Sequence, residues 1–319
     1  MNRRAFLVRS SLLAAAGFAP AHRLLAQAAP AGPVAASPNP APAAAAPTAT
    51  VTFTPLRGGV GYATGRGGTL GWLANAEALV AVDAQFPDTA RLFIDGLPGR
   101  GGRLFDHLIN THHHGDHTAG NGVFRPVAKS ILAHAAVPEL QRSRSKTQEK
   151  EVVADTTFTD LWRRDLGSET VTARHFGPAH TKGDIAVYFE KANVVHVGDL
   201  VFNRLYPVID RPGGASIAGW IGVLETMVKT YPADATYIFG HGSARFGVSG
   251  TVADLGTMRD VLTALLEHTG REIKAGKPRE EIVKLQELPG FPDHAPAAGA
   301  SSRLPADLGV AYDELTAGR

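Results

Sequence analysis

Two periods of hydrophobic and polar positions run along this chain, and the places where one gives way to the other mark its elements. From position 51 onward, short runs over 51–54, 69–74 and 78–82 are apolar and β-branched, are separated by glycine-rich turns, and predict strands. The period becomes helical over 87–97, with Pro87 at a first-turn position. It returns to the strand pattern over 104–110, 170–176, 193–197 and 235–239. The segment 216–230 opens on Ser216, a good N-cap, and spaces Trp220, Val223, Leu224, Met227 and Val228 as a core-facing stripe. Residues 251–270 repeat the design with Leu255, Met258, Val261, Leu262 and Leu265. A weaker helical piece over 279–288 precedes a tail rich in Pro, Gly and Ala.

The first fifty residues follow neither period. They carry four arginines and no acid, and the first acidic residue is Glu77. Basic Asn2-Arg3-Arg4-Ala5-Phe6-Leu7 leads into an apolar stretch over 10–19, and Ala26-Gln27-Ala28 offers small residues where a signal peptidase reads them. This layout predicts an export signal over 1–28, similar to a twin-arginine signal, and hence a periplasmic or secreted protein. The apolar stretch is too short for a stable membrane anchor. Residues 29–50, almost all Ala and Pro, predict a semi-extended linker. A globular domain is expected over 51–275, with a helical extension and tail over 276–319.

Composition narrows the chemistry. Hydrophobic residues make up 44% of the 319, enough for a real core. The 32 Lys+Arg barely exceed the 30 Asp+Glu, and losing the signal's four arginines takes the formal charge from +2 to −2. That balance argues against a nucleic-acid partner, which needs cations gathered on one face, and leaves a small-molecule substrate. There are no cysteines, so disulfides, thiolate nucleophiles, iron–sulfur clusters and Cys-ligated metals are excluded.

The strand pattern over 104–110 runs straight into Asn110-Thr111-His112-His113-His114-Gly115-Asp116-His117. Four of the thirteen histidines fall within six positions, with an aspartate among them. On extended chain, residues i and i+2 point the same way, so His112 and His114 can share one metal. A turn at Gly115 then directs Asp116 and His117 toward a second. Imidazole and carboxylate are what a zinc-like ion takes when thiolate is absent. His113 points away from its neighbours and is not expected to be a ligand.

His112-x-His114-x-Asp116-His117 resembles the signature of the metallo-β-lactamase superfamily, which includes glyoxalase II-like thioesterases and lactonases. The resemblance covers about 51–249 and implies a four-layer αβ/βα sandwich of the α/β class, with two mixed sheets face to face and helices outside. It also implies three further ligands at strand ends, for which His180, Asp199 and His241 stand in matching places. Carried over, His112, His114 and His180 would hold one divalent ion. Asp116, His117 and His241 would hold another, with Asp199 bridging; zinc is the first expectation for both. Asp199, where some β-lactamases carry a cysteine, fits the glyoxalase II-like and lactonase branches better.

The expected activity is therefore that of an exported dinuclear hydrolase. Its metal-bridging hydroxide would attack an ester-like, thioester, lactone or β-lactam carbonyl, with Asp116 orienting that hydroxide or carrying its proton. Asp83 and Asp184, assisted by Thr111 and Thr181, are candidates to fix the ligand histidines' outer nitrogens. Phe202, Tyr206 and Arg211, on the segment after Asp199, and Arg245, after His241, are candidate substrate contacts. His196 is read as core and His294 as exposed. The alternatives are a mononuclear iron enzyme of the persulfide dioxygenase type, a metal-dependent phosphodiesterase or nuclease, and a non-catalytic binding protein.

Overall fold

Residues 49–144, 151–294 and 301–317 are described by a computed structural model; the expected export signal and nearly all of the linker lie outside them. One sheet contains β1 (Thr52–Pro55), β2 (Val60–Thr64), β3 (Leu70–Ala74), β4 (Leu79–Val82), β5 (His107–Ile109), β6 (Ile131–His134) and β7 (Thr156–Phe158), in that spatial order. Its first four strands are antiparallel neighbours and the last four run parallel. The second sheet uses β8 (Leu161–Asp165), β9 (Thr170–His175), β10 (Ile185–Phe189), β11 (Val194–His196), β13 (Thr236–Ile238) and β15 (Ser249–Gly250), ordered 15-13-11-10-9-8. Two-residue strands β12 (Phe202–Asn203) and β14 (His241–Gly242) pair beside it.

Alternation along the strands builds three cores. In β4, Val80 and Val82 face the second sheet, meeting Val187, Phe189 and Ile238, while Leu79 and Ala81 face outward onto Phe93 and Ile94 of α1 (Pro87–Gly96). A strand covered on both faces needs apolar residues at every position, which is what Leu79-Val80-Ala81-Val82 supplies. Each fully buried Leu, Ile or Phe contributes about 1.5–3 kcal/mol. On the far side, Ala186, Val195 and Tyr237 meet α5 (Ile217–Thr230) and α6 (Val252–Lys274) through Trp220, Leu224, Leu255 and Leu262. The layers are helix, sheet, sheet, helix: the four-layer α/β sandwich expected from the sequence. No described helix is long and apolar enough to cross a membrane.

Elements differ from expectation where tertiary contacts intervene. The strand over 104–110 shortens to β5, because the Asp106 side chain accepts from Leu79 N and pairs with Lys129. Ser216 caps α5 and Thr251 caps α6 as expected, but Val228 is exposed, lying off the stripe that Trp220, Val223, Leu224 and Met227 bury. The helix expected over 279–288 is a single turn, α7 (Arg279–Ile282). The expected tail contains a thirteen-residue helix, α8 (Leu304–Thr316), which buries Leu304, Leu308 and Ala311 in the core shared with α5 and α6. Three short helices complete the described chain, α2 (Gly115–Thr118), α3 (Asn121–Phe124) and α4 (Val137–Arg144).

Candidate metal centre

The seven expected ligands all follow ends of central strands. β5 delivers Thr111 and His112; β11 and β13 run parallel, so the turns after them carry Asp199 and His241 side by side, tied by Gly240 N donating to Gly198 O at 2.7 Å. Asp83, just past β4, adopts a left-handed φ of 63°, which aspartate tolerates better than most residues. Its carboxylate accepts from Thr111 N, Thr111 Oγ1 and His117 Nδ1, each at 2.7 Å, and so joins the two halves of the histidine-rich turn. Glycine is required where the backbone passes close to a ring. A Cβ on Gly68 would sit 2.1 Å from His117 Cε1, and one on Gly198 would sit 2.6 Å from Thr111 Oγ1.

Donor atoms of His112, His114, His180 and Asp199 lie within 4.8 Å of one another, and those of Asp116, His117 and His241 form a second such group. Asp199 stands between them, with Oδ1 3.0 Å from His117 Nε2, and Oδ2 3.5 Å from His180 Nε2 and 3.4 Å from His241 Nε2. Asp116 Oδ2 is 3.2 Å from His241 Nε2.

Hydrogen bonds on the far side of each ring decide what faces inward. His180 Nδ1 lies 2.6 Å from Val208 O, which can only accept, so this nitrogen carries the hydrogen and Nε2 is a bare lone pair. His114 Nε2 donates to Asp210 Oδ2 at 2.9 Å, leaving Nδ1 bare. Thr111 gives its hydroxyl hydrogen to Asp83, so it accepts from His112 Nδ1 at 3.0 Å, leaving His112 Nε2 bare. These bare nitrogens face each other, with His114 Nδ1 2.9 Å from His180 Nε2 and 3.1 Å from His112 Nε2. Lone pairs at that spacing repel unless a cation sits among them. Asp199 Oδ1 is buried 3.0 Å from His117 Nε2, with no hydrogen-bond partner among the described residues. Such a donor set fits a divalent ion in each group.

The charges agree. Burial lowers His112 well below the ordinary imidazole value and takes His180 down to about 3, so both are neutral, as ligands must be. Burial works to raise Asp116, but His117 and His241 outweigh it and bring the carboxyl to about 2. Burial opposes charge on His241 too, yet Asp199 and Asp116 lift it to about 9. The second group, flanked by carboxylates, is thus a site for positive charge.

Other expected residues scatter. Asp83 and Thr111 reach the ligand rings, but Asp184 does not; both its oxygens accept from Thr181, and Val208 O serves His180 instead. Phe202 stacks on His241 at 5.3 Å, beneath the centre. Tyr206 is turned into the core, where its hydroxyl accepts from Leu288 N. Arg211 pairs with Glu314 of α8 and Arg245 with Asp293, and neither is among the residues lining the cavity beside the centre. His196 is core, 3.1 Å from Thr69 O. His294 is buried against Tyr206 and Phe291, because the chain folds back there instead of trailing into solvent.

Sequence reasoning missed Val208 and Asp210, although Asp210-Arg211-Pro212-Gly213-Gly214 announces a tight turn. Beside the centre opens a cavity of about 470 Å³, lined by Asp116 and His114 at its floor and by Leu140, Arg144, Val208 and Pro212 on its walls.

A family model described as the metallo-beta-lactamase superfamily matches residues 82–245, about half of the chain, from Val82 at the end of β4 to just beyond His241. Hydroxyacylglutathione hydrolase of Methylococcus capsulatus is 31% identical over 180 residues, covering 54% of this chain and 62% of that protein. The 2,4-dinitroanisole O-demethylase subunit alpha of a Nocardioides species is 30% identical over 131 residues, covering 39% of this chain and 38% of that one. The chain thus spans less than two thirds of either relative. Among solved structures, a metallo-beta-lactamase from Pontibacter korlensis superposes with a TM-score of 0.58 at 16% identity, over 67% of this chain and 99% of its own. The sec-alkylsulfatase Pisa1 from Pseudomonas sp. gives 0.66 at 14% identity, over 84% of this chain and 50% of its own. Sandwich, strand-end histidines and matched sequence agree: the chain belongs to the metallo-β-lactamase superfamily.

Proposed function

We propose that the protein is an exported metal-dependent hydrolase of a small acyl compound, cutting an ester-like, thioester, lactone or β-lactam carbonyl. His112, His114 and His180 would hold one divalent cation and Asp116, His117 and His241 a second, with Asp199 bridging; zinc suits this thiolate-free set. Bound there, two such ions supply Lewis acidity, bringing the pKa of a water toward neutrality and polarising a carbonyl.

The chain's own residues do the rest. Asp116, ionised at neutral pH and one-third exposed beside the cavity, accepts a hydrogen bond from the attacking water and orients it. A carboxylate with a pKa of about 2 is a weak base, so its part is aim more than proton abstraction. Leu140, Val208 and Pro212 give the cavity an apolar wall against which an acyl group can pack. Export rests on the basic, apolar and small-residue layout of the first 28 positions.

One observation carries this reading: three imidazoles, each with its outer nitrogen engaged, turn bare lone pairs on one another about 3 Å apart. A hydrolysis screen with a thioester, a lactone, a β-lactam and a phosphodiester tests it, with metal content measured on the same sample. Turnover of one of the first three by zinc-loaded protein is expected. A single tightly held iron with no hydrolysis would point to the dioxygenase class, and cleavage of the phosphodiester alone to the nuclease class.

A further inference from the structure

The loop after β12 makes a contact that the proposed reaction does not require by itself. Within seven residues it supplies two acceptors to the centre: Val208 O takes His180 Nδ1 at 2.6 Å, and Asp210 Oδ2 takes His114 Nε2 at 2.9 Å. Asp210 Oδ2 also lies 3.3 Å from Nε2 of the buried His113, so one carboxylate oxygen spans two neighbouring imidazoles, while Oδ1 accepts from Gly213 N at 3.1 Å. His113, which faces away from the ligands, thus packs its ring edge against the same carboxylate.

The loop has no strand or helix over 204–216; its own turn ties Gly213 N and Ala215 N to Asp210, and Asp210 N and Gly213 O pair with His180 and Lys182. To these ties α8 adds a grip from outside. Arg303, at that helix's start, donates from Nε to Pro207 O at 3.3 Å. Glu314, near its end, accepts from Arg211 Nη1 at 3.2 Å, Ser216 Oγ at 3.3 Å, Ile217 N at 2.9 Å and Ala218 N at 3.0 Å. These bonds grip the loop on both sides of Asp210, and Glu314 also satisfies first-turn amides of α5.

We infer that Asp210 is a positioning residue for the first cation group, holding His114 in the tautomer and orientation that present Nδ1, and that α8 acts through Glu314 and Arg303 as the brace that keeps it there. The inference rests on the metal reading above, and it assigns to the C-terminal helix, about a hundred residues away in sequence, a hold on the metal centre.

Titration of metal-free full-length protein with zinc alone tests it, comparing wild type with Asp210→Ala, Asp210→Asn and Glu314→Gln. Asp210→Ala is expected to weaken zinc binding at the group of His112, His114 and His180 about 10–100-fold and leave the other group nearly unchanged. Asp210→Asn, which keeps one acceptor oxygen, is expected to recover part of that loss, and Glu314→Gln to show a smaller loss in the same site. The ¹⁵N shifts of the His114 ring in metal-free protein give a readout that general loosening would not reproduce, moving from the Nε2–H form to a tautomer mixture in Asp210→Ala. Unchanged zinc affinity and ring shifts in Asp210→Ala would overturn this inference alone. Wild type that binds no zinc would overturn the metal reading, and this inference with it.

Discussion

The two halves of the centre are built from the same side chains and held very differently. His112, His114 and His180 each have an outer nitrogen pinned, by Thr111, Asp210 and Val208, and His112 and His180 are fully buried. In the other half only His117 is pinned, by Asp83; His241 and Asp116 keep 25% and 32% of their side-chain surface in solvent, and His241 leans on the face of Phe202. One half is made to hold, the other to be reached. Catalytic sites need an open position where structural sites are closed, and here that openness is confined to one side.

The largest effect is expected at the open side: Asp116→Ala should lower turnover about 10²–10⁴-fold, while the melting temperature stays within a few degrees because the side chain is partly exposed. Steady-state kinetics with a parallel thermal melt checks both. Asp83 serves both halves, so Asp83→Ala should not discriminate between them. It should weaken zinc binding about 10–100-fold at each site, and it should cost about 1–3 kcal/mol for each buried donor stranded, read from denaturant unfolding of metal-free protein. In Gly68→Ala the atoms nearest the new methyl all belong to His117. The methyl would overlap that ring, so a loss of about 1–3 kcal/mol is expected, with the looser zinc site affected and the tighter one spared.

Asp184 provides the smallest effect and a control outside both halves. Burial raises its carboxyl from 3.8 to about 8, so between those values the folded protein holds a proton that the unfolded chain has released. Stability should therefore fall as pH rises from about 4 to about 8, and Asp184→Asn should flatten that slope without altering zinc binding. A pH series of urea melts on metal-free protein measures it; an unchanged slope would mean the carboxyl is ionised in the fold.

What the sequence disclosed follows from the kind of contact involved. The candidate ligands were legible because each follows a short strand, and because His112, His114, Asp116 and His117 stand together in the chain. The sandwich was legible from alternation in segments such as Leu79-Val80-Ala81-Val82. The groups that fix the ligands were less so. Val208 acts through its backbone oxygen, which no side-chain pattern records, and Asp210 looked like an ordinary turn residue until the fold brought it beside His114. Asp184 misled because Thr181 captures its carboxyl locally, and the outer nitrogen of His180 turns to Val208 O instead. The helix α8 hid in a segment read by composition, although Leu304, Leu308 and Ala311 carry a helical period.

Counting metal on purified full-length protein, by elemental analysis followed by stepwise chelation, tests the paired-cation centre most directly. About two zinc ions per chain are expected, one leaving readily with loss of turnover and the other retained until much stronger chelation. Both ions leaving together, or one ion per chain in fully active protein, would contradict it.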